Sequence, residues 1–229
     1  MKILSFSAVL IMVLLLPAAG NAEELNYNLY SLQAAVSKDA ENDLMIVSLV
    51  TTHQATTASE AANQVNADME WALDEVEDES EIIARTEQYN TYPQYRSEKI
   101  VSWTVSQSLR LETDDFEKLT DLIGELQERL NVQQMQFAVK PETRASVENQ
   151  LIEDALEAYR QRADIVAKSM GADSYDIVNT NLNTQGAYTP VYSRAQTSKL
   201  EVFSADAPSV EAGESNISVT VNGQIQLVF

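Results

Sequence analysis

The sequence predicts an α+β protein: a ferredoxin-like β-α-β-β-α-β lobe, then a long helix and a C-terminal β-rich lobe. Three observations carry this. β-branched or alternating stretches recur at 44–52, 100–112 and 217–229. Apolar residues at steps of three and four mark helices at 57–77 and after Asp114. The stretch 143–171 keeps helical spacing long enough to make a rod of about 40 Å. Such a rod is too long for a surface ornament and is expected to link two β-rich parts.

Residues 1–22 hold a lone Lys2, an apolar run over 3–16, a break at Pro17 and small residues up to Ala22. This is the pattern of a secretory signal peptide cleaved after Ala22. The run is short for a membrane span of about 20 residues. No second run of that kind follows, so no integral membrane span is expected after cleavage, and the chain is expected to be exported. The remaining chain divides into the β-α-β-β-α-β lobe at 23–141 and a long helix with C-terminal strands at 142–229.

Within that frame, 25–36 reads as a strand and 38–43 as a polar turn. Residues 44–52 form a stronger strand. The helix at 57–77 buries Ala58, Ala62, Val65, Met69, Ala72 and Val76, with Thr57 or Ser59 as cap. The acidic run at 74–81 should face water, because a helix C-terminus disfavours negative charge. A strand at 82–89 is interrupted at Tyr92-Pro93-Gln94-Tyr95, since proline cannot donate to a ladder. It pairs with 100–112, where Val101, Trp103, Val105, Leu109 and Leu111 share one face.

Asp114 opens the next helix, with Glu117 placed for a capping box. Its apolar row is Phe116, Leu119, Leu122, Ile123, Leu126 and Leu130. Met135, Phe137 and Val139 alternate in a strand that stops at Pro141. The long helix carries Ile152, Ala155, Tyr159, Ala163, Val166 and Met170 on one side, with Thr143 capping its start and Gly171 closing its end. A strand at 175–184, a loop at 186–190, a strand at 199–203, a linker at 206–214 and an alternating strand at 217–229 complete the chain. The segment 186–215 reads as the most mobile connection.

Composition narrows the function. The chain has 229 residues, no cysteine and a net charge of −20. Disulfides are excluded, so stability must come from packing. The charge repels phosphate backbones, which argues against nucleic-acid binding. His53 is the one histidine. Without cysteine or a second imidazole it is a poor zinc ligand, and no Gly-x-Ser-x-Gly elbow accompanies it. It reads as a strand-end residue. Carboxylate pairs are too numerous for any one to mark a glycosidase. The run 74–81 lacks the Asp-x-Asp-x-Asp-Gly spacing that wraps Ca²⁺. No catalytic residue, cofactor or metal site is predicted. Tyr89, Tyr92, Tyr95 and Trp103 cluster along one hairpin. Tyr92, Tyr95 and Trp103 are the candidate interface, because exposed Tyr and Trp are enriched at protein contacts.

The order of these landmarks resembles the SIMPL-domain family. The resemblance rests on the strand and Ala-rich helix at 44–76, Tyr92-Pro93-Gln94-Tyr95, Ile100-Val101-Ser102-Trp103-Thr104-Val105-Ser106-Gln107-Ser108-Leu109, and the strand containing Phe137. It continues through the helix with Ala155, Ala163, Ala167 and Gly171 to Glu211-Ala212-Gly213-Glu214 before the last strand. The family usually has Gly-Tyr at Ser102-Trp103 and Pro-Asp at Asn42-Asp43. The resemblance implies a non-enzymatic bacterial protein, periplasmic or associated with the envelope, that assembles into homo-oligomers and is linked to envelope or oxidative stress; other envelope proteins are expected as further partners. The rival expectation is an outer-membrane-associated oligomeric channel, because an alternating last strand ending in Phe229 resembles the closing strand of a barrel.

Overall fold

The computed structural model describes residues 27–184 and 211–229. The stretch 1–22, the loop at 186–190, the strand expected at 199–203 and the linker portion 206–210 lie outside the described residues. The elements are β1 (Leu29–Glu41), β2 (Leu44–Ala55), α1 (Ala58–Glu77), β3 (Ile83–Arg96) and β4 (Lys99–Thr113). They continue with α2 (Phe116–Leu126), β5 (Asn131–Ala138), α3 (Pro141–Met170), β6 (Ser174–Thr184) and β7 (Glu214–Val228).

The stretch from β2 to β5 forms the expected split βαβ arrangement. Its antiparallel sheet has the order β3-β4-β2-β5, so each helix-linked pair of strands has a strand of the other unit between its members. β2 is central because alternate Met45, Val47 and Leu49 pack with Leu109 and Leu111 of β4 under both helices. Thr57 caps α1, its hydroxyl accepting from Glu60 N at 3.2 Å. The buried row of α1 is Ala61, Val65, Met69, Ala72 and Val76. Ala61 therefore replaces Ala58 at the first turn, a small rotation of the face. The cap of α2 is Asp115, which accepts from Lys118 N at 3.1 Å, not Asp114.

β3 is not interrupted at 92–95. It runs through Pro93 as an edge strand, where a missing N–H can face the open side. Two register shifts, at Thr86/Tyr89 and Gln94/Tyr95, take up the irregularity.

β1 leaves the 23–141 division and joins the second sheet, of order β1-β7-β6. It pairs with β7 from Leu29↔Gln226 to Glu41↔Glu214. The strand thus runs through residues 38–41, and the polar turn shrinks to Asn42-Asp43. Polar side chains there disguise a strand whose edge-on pairing is set by β7. α3 covers one face of this sheet. Its buried row is Leu151, Ala155, Tyr159, Ala163 and Ala167. Ile152 and Val166 lie at the border and Met170 is exposed. The alanines permit close approach, as expected. Gly171, at φ 73°, ends the helix in the left-handed conformation. Tyr159 is buried with its hydroxyl against the sheet at Gly223. A Cβ on Gly223 would lie 2.7 Å from that hydroxyl and 2.4 Å from the Asn179 carbonyl.

The chain crosses between the two sheets at 42–43 and again at 139–140. Asp43 ties the crossings together. Its carboxylate accepts from Lys140 N at 2.6 Å and from the Thr143 hydroxyl at 2.5 Å. Thr143 is therefore not the cap of α3. Lys140 is the cap residue, Pro141 follows it, and the carboxylate that serves the helix start comes from a distant turn. Asn42 fixes the other side: its amide donates to Ala212 O at 2.7 Å and its carbonyl accepts from Ser215 Oγ at 2.6 Å. The Lys140 ammonium meets Asp114, freed from capping duty. That hydrogen bond holds the Asp114 carboxyl below its usual range and raises Lys140.

Asp43→Ala is expected to lower unfolding stability by about 2 kcal/mol, the scale of hydrogen bonds to a charged group, and to speed amide exchange in the first turn of α3. Denaturant titration and hydrogen exchange check this. Gly223→Ala should cost about 2 to 3 kcal/mol, since backbone at Asn179 must shift to admit the methyl. The Asp114–Lys140 pair has a definite pH signature. A depressed carboxyl contributes stability above its unfolded value of 3.8 and loses it as pH falls through the folded value. A raised ammonium contributes below 10.5 and loses it as pH rises through the folded value. In Lys140→Met the thermal midpoint should therefore fall less steeply at both ends of the pH range.

Candidate functional site

β2 gives out before its neighbours do. Its last pairing with β4 is Ala55↔Trp103, whereas β3 and β4 stay paired out to Arg96↔Lys99. The end of the hairpin is thus a two-stranded ribbon that runs past the third strand. Side chains there lose their cover. Val101 belongs by alternation to the row of Val105, yet Val105 is fully buried and Val101 is 46 % exposed. Tyr92, Tyr95 and Ile100 are exposed as well, with Tyr95 at 64 %. Trp103 sits half-buried at the base beside Ala55.

The candidate residues do not form one patch. Tyr92 lies opposite Thr104 and Pro93 opposite Trp103. Neighbouring pairs point to opposite faces, so Tyr92 and Trp103 occupy different sides of the ribbon. Tyr95 pairs with Ile100 near the tip. Ile100 and Val101 are the functional candidates that sequence reasoning missed. The available signal was length: a strand ending at Ala55 cannot cover a hairpin that continues to residue 99.

The turn at the tip is Ser97-Glu98, with φ of 48° and 64°. Two left-handed residues in a two-residue loop match the strand twist. Neither is glycine, so each carries a steric penalty of roughly 1 kcal/mol. The flanking Arg96↔Lys99 pair puts like charges opposite each other, which disfavours the ribbon on its own. A second cationic pair, Arg85↔Arg110, has relief, since Arg110 Nε lies 2.6 Å from Glu112 and 4.0 Å from Glu87. Arg96 and Lys99 have no ion-pair partner among the described residues.

At the ribbon's base, His53 Nε2 lies 2.6 Å from Asp68 Oδ2, and the buried Thr51 hydroxyl donates to the same oxygen at 2.9 Å. The carboxylate stands between imidazole and hydroxyl. A nucleophile–base–acid relay needs the imidazole in the middle. This arrangement instead ties β2 to α1. His53 is a strand-end residue, as expected, but Asp68 is a partner that sequence spacing alone did not reveal.

The acidic run divides. Glu79 and Glu81 hold Lys118 at 3.3 and 2.9 Å, and the hydrogen bond that Lys118 donates to Glu81 leads in raising the Lys118 ammonium. Asp74, Glu75, Glu77 and Asp78 stay around the end of α1. Among the described residues no three metal-ligating side chains converge. No helix among them is long and apolar enough to cross a membrane.

A family model described as a protein of unknown function (DUF541) matches residues 31–225. No curated protein matches the chain.

Proposed function

The chain belongs to the SIMPL family, and from that premise we propose an exported, non-enzymatic envelope protein whose ribbon docks on a second copy of itself. The carrying observation is the tip: exposed Tyr95 and Ile100 beside Arg96 and Lys99, which have no ion-pair partner among the described residues, on a chain of net charge −20. Apolar surface gives the contact its driving force, and the cations give it direction.

The topology supplies the acceptor. α1 starts near the ribbon end of β2 and runs back, so its acidic C-terminal turn lies at the far end of the same lobe. A contact between tip and acidic end is head-to-tail. Repeated, it closes into a ring or continues as a filament. Export rests on residues 1–22, and the envelope location and stress role follow the family resemblance. Other envelope proteins with acidic surfaces are the second class of partner.

A channel reading places the same assembly at the outer membrane. What speaks against lipid contact by the last strand is its orientation. The apolar row Ile217, Val219, Val221, Ile225 and Leu227 packs with α3.

Light scattering is the test. The protein should give a mass of several protomers that falls to the protomer mass in Tyr95→Ser/Ile100→Ser, with helix content unchanged by circular dichroism. High salt should act in the same direction, because it screens the Arg96 and Lys99 attraction. An unchanged mass in the double variant ends the ribbon reading. A turnover that vanishes in Asp68→Asn ends the non-enzymatic one.

A further inference from the structure

The face of the three-stranded sheet turned away from α3 holds a shallow cavity of 490 Å³. Two rows of side chains across the strands line it, together with Leu32 and Gly223 between the rows. Register places Ser31, Gln224 and Asn179 in one row and Gln33, Asn222 and Asn181 in the next. All six are uncharged hydrogen-bonding groups, in a chain where 22 % of residues are charged. On one side the neutral zone runs past the cavity through Ala35, Ser37, Ser218, Thr220 and Asn183 as far as Asp39, and on the other it ends at Asp176, in the row of Gln226.

The first row is partly self-satisfied. Asn179 Nδ2 donates to Gln224 Oε1 at 3.2 Å, and Gln224 Nε2 donates to Ser31 Oγ at 3.5 Å. In the second row the side-chain amides of Gln33, Asn222 and Asn181 have no hydrogen-bond partner among the described residues. Each offers two donors and an acceptor. They stand about 4.8 Å apart along the row and about 7 Å from the row above. Gly223 lies between the two rows on the central strand β7, and the register shift between Ile177 and Asn179 borders them on the edge strand β6.

The chemistry selects the ligand. No cation lines the cavity, and the whole chain repels anions. No carboxylate lines it, so a metal ion has no ligand charge to meet. No aromatic ring lines it, which removes both the base-stacking platform of single-stranded nucleic acid and the anchors of a protein hot spot. What remains is a neutral molecule dense in donors and acceptors. We infer that this amide grid binds an uncharged oligosaccharide bearing hydroxyl and acetamido groups. Hydroxyls both donate and accept, as the second-row amides do, and acetamido groups pair with primary amides in both directions. The site is separate from the ribbon and independent of the assembly reading.

The probe is tetra-N-acetylchitotetraose, which is neutral and carries both groups. Calorimetric titration of the protein should show saturable binding. The side-chain amide resonances of Asn181, Asn222 and Gln33 should shift in proportion to occupancy. Asn181→Ala/Asn222→Ala should weaken binding about tenfold, the effect of losing one or two neutral hydrogen bonds. Asn222→Asp preserves shape, guards against misfolding of the double variant, and should also weaken binding. The inference is overturned if the protein gives no saturable response at millimolar tetra-N-acetylchitotetraose, or if both variants bind as tightly as the unaltered chain. It is also overturned if the double variant changes oligomer mass while the unaltered protein binds no sugar, because the grid is then a contact between copies.

Discussion

The carboxylate of Asp43 is the constraint on which the arrangement of the two sheets depends. The chain leaves one sheet at 42–43 and leaves the other at 139–140, and a single side chain holds both crossings. Its oxygens face the start of α3, where backbone N–H groups have no partner within the helix and the dipole favours negative charge. One hydrogen bond goes to the main chain of Lys140 and one to the side chain of Thr143. Asn42, the preceding residue, binds the start of β7. A two-residue corner thus fixes the first strand, the longest helix and the last strand relative to the four-stranded lobe.

With the junction fixed, the two cores are complete in themselves. Each sheet has one face under helices, and buried apolar residues on each side form separate clusters. Apolar surface left over is then informative, because a finished core has no use for it. Part of it lies around β6 and β7, at Ile177, Val178, Leu182, Val228 and Phe229, and a second group lies on the ribbon, at Tyr92, Tyr95, Ile100 and Val101. The ribbon's strain agrees with that reading: two left-handed non-glycine residues and an opposed pair of cations destabilise the free tip. A partner with acidic groups and apolar surface would relieve the charge repulsion and cover the side chains together. The face of the three-stranded sheet turned away from α3 behaves differently. At its middle it carries amides in place of charges, a surface suited to exchanging hydrogen bonds.

Much of the fold was legible because local patterns coincide with the elements they form. The alternation in 217–229 and the spacing in 57–77 are set by strand and helix geometry, and both elements appear where the pattern places them. Legibility failed where a distant segment changed the meaning of a local one. Residues 38–41 look like a turn until β7 lies beside them. Asp114 looks like a cap until Lys140 claims it and Asp115 takes its place. Pro93 looks like a break until the strand that holds it proves to be an edge. Val101 looks buried until β2 stops short.

What the sequence determined by itself was therefore the kind and order of the described elements, the βαββαβ succession, the family and the candidate aromatics, because periodicity and capping act over a few residues. Only the tertiary structure decided that β1 belongs with β7, that Asp43 serves a helix about a hundred residues away, that Asp68 reaches His53, and which aromatics share a face. Those facts depend on strand register and on where neighbouring strands end. Register and strand length are fixed by pairing between segments far apart in the chain, and no local pattern records them.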